Sequence, residues 1–216
     1  MDNNWKKVMR VDIAYYDDVW KQIKDDALFT VHKKNGTYPN EEWKKNILLS
    51  EHSPIRTGRM IINIYNVPSF VITHFVRHNN GIEKFVASFR DDRYEFEDGF
   101  VPNRNTLQDF RIDINFQAFI NISRKRYCNC ASEETRYVWQ RIMDKVREIE
   151  PELYWVCVPE CIYRGGCPEM FPCKQKAYKG FLAWCRGSKG VDPIDLFDMR
   201  ARYDLYSEFK DKISKK

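Results

Sequence analysis

A single α/β (α+β) domain is the fold that the sequence predicts, and three observations predict it. The chain has 216 residues, which suits one large domain or two small ones. Hydrophobic residues make up 43% of it, and Phe, Tyr and Trp together number 32, so a sizeable core is available and a disordered chain is excluded. Strand-like and helix-like periods both occur, with no internal repeat, low-complexity tract or clear linker between them.

Taken in order, residues 10–32 mix apolar and acidic positions as a first strand and a helix. PNEEWKKNILLSE (39–51) reads as a helix. Asn40 caps it, Glu41 and Glu42 complement the dipole in its first turn, and His52, Ser53 and Pro54 break it. RMIINIYN (59–66) is a buried strand by length and Ile content, and SFVITHFVRH (69–78) is a short helix that ends at the polar NNG stretch. KFVASFRDD (84–92) reads as a strand with alternating faces, followed by a loop over 93–105.

From Thr106 to Tyr127 the expectation is a helix, with Ile112, Ile114, Phe116, Phe119, Ile120 and Ile122 on its apolar face. Ser132 caps a further helix that runs through Glu148 and is ended by Pro151. Residues 157–173 read as a loop punctuated by Cys and Pro. Residues 193–212 form a last helix, and KDKISKK (210–216) is a solvated basic end.

A net charge of +5 is too small to imply a nucleic-acid partner by itself. Its distribution is more informative, because ten arginines fall between Arg56 and Arg136, and Arg suits bidentate recognition of phosphate or carboxylate. No segment approaches the ~20 apolar residues of a membrane span. The N-terminal MDNNWKKVMR has no apolar core of a signal peptide, so a cytoplasmic location is expected. Seven cysteines, an odd number, argue against a secreted disulfide framework.

Two stretches carry phosphate chemistry. In the first, EHSPI (51–55) is followed by a strand and a helix that ends at Arg77 and His78, and then by SFR (88–90). Arg77 and His78 at a helix end, with Ser88 and Arg90 alternating on a strand, would make a phosphate cradle; cations that merely complement a helix dipole are the plain alternative. In the second, NISRKRYCNCASEETR (121–136) joins two helices and brings Arg124, Arg126 and Arg136 close to the free N–H groups of a helix start. A solvated basic corner is the plain alternative there.

In their order and approximate spacing, these four motifs (EHSPI, PSFVITHFVRH, SFR and NISRKRYCNCASEETR) resemble those of the flavin-dependent thymidylate synthases, over roughly residues 40–150. The resemblance implies a central, mostly antiparallel sheet packed by long helices, with residues 157–216 as a Cys-rich loop and helical extension of one domain spanning 1–216. It implies FAD held by Ser53, Arg77, His78 and Arg126, and a deoxyuridine nucleotide held by His74, Ser88, Arg90 and Arg136. It further implies one-carbon transfer from methylenetetrahydrofolate to carbon 5 of dUMP, with hydride from FAD that NADPH has reduced. No catalytic nucleophile is called for, and a homotetramer with shared active sites is implied.

The chain departs from that family's pattern at several positions. Asn79 stands where a third member of Arg-His-Arg is expected, and eight residues separate it from Ser88 in place of seven. His74 replaces a Gln, and Arg56 replaces a Glu, which reverses a charge. A changed product such as a hydroxymethylated pyrimidine nucleotide, or a non-enzymatic nucleic-acid-binding protein, are the alternative readings.

A third stretch, CVPECIYRGGCPEMFPC (157–173), spaces Cys161, Cys167 and Cys173 evenly, and Cys128 or Cys130 could add a fourth thiolate. Four thiolates suit Zn or an iron–sulfur cluster, whereas reduced, packed thiols are the simpler reading. His74 and His78 form an i, i+4 pair without the Glu of a protease-type metal helix.

Overall fold

The computed structural model describes residues 4–16, 18–34, 36–90, 92, 100–173, 176–192 and 198–214. Residues 93–99 of the expected loop and 193–197 of the expected last helix lie outside them. In chain order the elements are α1 (Trp5–Val8), β1 (Arg10–Tyr15), α2 (Val19–Thr30), α3 (Glu41–Leu49), β2 (Arg59–Pro68), α4 (Ser69–Phe75), β3 (Ile82–Val86), β4 (Leu107–Asn115), α5 (Phe116–Arg126), α6 (Glu133–Ile149), α7 (Pro151–Val156), α8 (Glu160–Arg164), α9 (Lys176–Trp184) and α10 (Met199–Ser214). This is the mixed architecture expected, with one antiparallel sheet in the order β1-β2-β4-β3. Among the described residues no helix is long and apolar enough to cross a membrane.

The chain divides into two compact units, residues 1–36 with 56–118 and residues 37–55 with 119–216. The first contains the sheet. Met60, Ile62 and Ile64 of β2 pair with Ile114, Ile112 and Phe110 of β4, and all six are buried. Alternation places these six on one face, where Phe75 of α4 meets Phe110 and Trp20 of α2 meets Phe116. The opposite face carries Asn63, Tyr65, Arg111 and Asp113.

The second unit is helical. Asn40 caps α3 by accepting from the Trp43 N–H, and Ser132 caps α6 by accepting from the Thr135 N–H, both as expected. Phe119, Trp139, Leu153, Phe181 and Tyr203 are fully buried at its centre. Arg200 of α10 grips the Glu42 carboxylate of α3 with two hydrogen bonds of 2.5 and 2.6 Å.

Four expectations need correction. The stretch from Thr106 is not helical until Phe116, because Phe110, Ile112 and Ile114 alternate with Arg111 and Asp113 at the period of a strand. β3 stops at Val86, so Ser88 and Arg90 lie beyond the strand and do not alternate along it. The 157–173 loop contains α8, capped by Gly165 in the left-handed conformation (φ 72°) that glycine tolerates. Lys210 is not part of a solvated end: it is buried, and its ammonium donates to the carbonyls of Tyr154 and Cys157.

Candidate nucleotide and flavin site

The residues proposed from sequence fall into both units, and each group is built by its own local structure. In the first unit α4 starts at Ser69 and ends at Phe75, and Val76 N–H and His78 N–H close the last turn onto Ile72 and Phe75 carbonyls. His74 is in the last turn of α4 and is half-buried. Arg77 follows, exposed, and among the described residues its guanidinium has no hydrogen-bond or ion-pair partner, so all five of its donors are available. His78 is half-buried beside it.

A residue that the motif reading did not single out organises this turn. The Lys84 ammonium donates to Val76 O at 3.0 Å, His78 O at 2.6 Å and Asn79 Oδ1 at 2.6 Å. It therefore satisfies carbonyls that the helix end leaves open, with a cation where the dipole favours one. Asn79 has a reason to replace an arginine here, since an amide oxygen accepts from Lys84 and a guanidinium cannot. The signal was present in the sequence: Lys84 has the inward parity of Ile82 on β3, and Ile82 is buried.

Ser88 and Arg90 lie just past β3. The Ser88 hydroxyl accepts from the Arg90 N–H, and the Arg90 guanidinium makes a bidentate pair with Asp92 at 2.9 and 2.8 Å. Both partners are exposed, so the pair contributes about 0–1 kcal/mol and an incoming phosphate can compete for the arginine. On the outer face of the sheet, Asn63, Tyr65, Phe85 and Arg111 line an open hollow of about 270 Å³.

In the second unit Ser53 begins a single 3₁₀ turn over Ser53–Arg56 and is exposed. Arg126 is the last residue of α5 and half-buried. Arg136 lies in the first turns of α6, where its Nη1 donates to the carbonyl and side-chain oxygens of Asn129 at 3.0 and 3.1 Å. That contact folds the 129–136 corner around the capped helix start. Arg124, the third arginine of this stretch, is structural: it is buried, ion-paired with Glu51, and stacked 3.6 Å from the centre of the Tyr163 ring. Burial alone would lower its pKa, and the Glu51 carboxylate reverses that and raises it.

Cys128, Cys161, Cys167 and Cys173 line one small hollow in this unit, and none of the seven cysteines is disulfide-bonded. Among the described residues no three His, Cys, Asp or Glu side chains already stand in the array of a metal centre.

No protein-family model matches the chain, and no curated protein is similar to it in sequence. Solved structures do share its fold. The thymidylate synthase X (ThyX) of Helicobacter pylori, solved with FAD and dUMP, superposes with a TM-score of 0.51 at 13% identity, covering 69% of this chain and 97% of that one. The UMP/dUMP methylase PolB of Streptomyces cacaoi, bound with 5-Br dUMP, superposes with a TM-score of 0.52 at 12% identity, covering 68% and 94%. At such identities the likeness is one of fold, and the chain therefore has the fold of thymidylate synthase X and of a dUMP methylase.

Proposed function

We propose that the chain binds FAD and a deoxyuridine nucleotide and transfers a one-carbon unit from methylenetetrahydrofolate to carbon 5 of dUMP. The observation that carries this reading is the fold it shares with two solved structures, one holding FAD and dUMP and the other a 5-substituted dUMP. The chemistry of single residues supports an anionic ligand. Arg77 presents an unspent guanidinium on a turn braced by Lys84, and Ser53 presents an exposed hydroxyl.

In this proposal Arg77, His78, Ser53 and Arg126 hold FAD, while His74, Ser88, Arg90 and Arg136 hold the nucleotide. Reduced flavin supplies the hydride. The protein's part is positioning and charge: Arg90 exchanges Asp92 for the nucleotide phosphate, and Arg136 turns from Asn129 to the same ligand. NADPH as reductant, a tetramer with shared sites and a cytoplasmic setting complete the proposal.

The test is direct. Purified protein, reconstituted with FAD, is expected to show flavin absorbance that dUMP perturbs. With NADPH and methylenetetrahydrofolate it should release tritium from dUMP labelled at carbon 5. A protein that takes up no flavin would refute the reading. Flavin uptake without a dUMP response would refute its substrate.

A further inference from the structure

Seven free thiols in one chain invite the question of why four of them meet. Cys128 follows α5, Cys161 is in α8, and Cys167 and Cys173 lie in the segment after Gly165. All four line one hollow together with Glu160, Glu169 and Tyr178. The hollow measures about 20 Å³. A single water needs about 10–15 Å³, so this space suits one small occupant and not a multi-atom iron–sulfur cluster.

Three oxygen-bearing side chains around the hollow have protein partners. Arg164 holds Glu160, Lys125 holds Glu169, and the Tyr178 hydroxyl donates to Gly165 O. Thiolate sulfur is the donor there that a thiophilic cation selects. One of the sulfurs also receives a backbone N–H group, Cys128 from Cys130 at 3.5 Å. An N–H aimed at sulfur favours the thiolate, the form that ligates metal.

We propose that Cys128, Cys161, Cys167 and Cys173 form a tetrathiolate site for one thiophilic divalent cation, with Zn²⁺ as the probe. The four cysteines line the hollow but do not form a ready-made metal array, so binding has to draw their sulfurs to the ~2.3 Å of a Zn–S bond. A thiol must lose its proton to ligate a cation, so binding displaces protons into solvent. This site is independent of the flavin and nucleotide reading.

The experiment uses the full chain, reduced and stripped of metal, without flavin or nucleotide. Zn²⁺ is added against a chromophoric chelator, proton release is followed in weak buffer, and Co²⁺ replaces Zn²⁺ for spectroscopy. The expected result is one ion per chain, proton release on binding, and an intense sulfur-to-cobalt charge-transfer band with tetrahedral ligand-field absorption. Cys161→Ser and Cys167→Ser should each weaken binding by more than about 100-fold, the upper end of what loss of an outer-sphere partner costs. Cys130→Ser, an exposed thiol outside the lining, should leave it unchanged. Because the cobalt spectrum is read on the unmutated chain, a variant that fails to fold does not decide the matter. A cobalt spectrum without sulfur charge transfer, or seven thiols that react equally with and without Zn²⁺, would overturn the site. Iron with acid-labile sulfide would overturn the single-ion assignment.

Discussion

Replacing Lys84 by Met keeps the aliphatic stem and deletes the ammonium that braces the turn after α4. Three hydrogen bonds vanish, to Val76 O, His78 O and Asn79 Oδ1. A hydrogen bond to a charged group contributes about 1.5–3 kcal/mol when well protected from water. Asn79 is exposed and Lys84 half-buried, so solvent takes over part of each. Taking the low end and halving it for exposure gives a loss of about 2 kcal/mol for the three together. Asn79→Ala, which removes one acceptor, should cost under about 1 kcal/mol by the same reasoning. Urea unfolding measures both, and amide exchange should quicken across 76–79 in Lys84→Met. The reasoning is refuted if Lys84→Met unfolds within about 0.5 kcal/mol of the parent, the scatter of neutral surface changes.

Other consequences follow from named contacts. Asn79→Arg sets a second cation beside Lys84 and should destabilise the chain by about 1 kcal/mol in urea; adding Lys84→Gln should remove that cost. Lys210 is buried among Tyr154, Tyr206 and Cys157, with Asp211 and Arg147 also acting on it, and burial depresses its ammonium to about 7 from the ordinary 10.5. The unfolded chain then binds more protons than the folded one between those values, so stability rises with pH across that window, by up to about 1.4 kcal/mol per unit. Denaturant midpoints of Lys210→Met subtracted from those of the parent isolate this slope, and a flat difference would contradict it. Gly81→Ala forces a Cβ onto a φ of 72° and to 2.5 Å from the Asn115 side chain, which itself caps α5 by accepting from the Ala118 N–H. It should lose about 1–3 kcal/mol by thermal or urea unfolding. Arg136→Ala should weaken dUMP binding by roughly 10–100-fold in calorimetry, the scale of a charge-assisted phosphate contact.

Much of the local structure is legible from neighbouring residues. Asn40 and Ser132 announce helix starts because a cap is a contact over three positions, and both caps are present. The strand Leu107–Asn115 was hidden by the helix that follows it directly: Ile112 and Ile114 belong to a period of two, Phe119, Ile120 and Ile122 to a period of 3.6. Pro151, taken as a stop, both ends α6 and starts α7, since a missing N–H costs nothing in a first helical turn.

The sequence by itself determined the mixed fold class, the capped helices and the arginine- and cysteine-bearing stretches, because periodicity, caps and residue chemistry are properties of short windows. Only the tertiary structure decided that Arg124 is a buried structural ion while Arg77 is unspent, that Lys84 braces the turn at Asn79, and that four cysteines spread from 128 to 173 line one hollow. Those outcomes depend on which distant side chains share a space, and burial and pairing there fix what each charge or thiol can do.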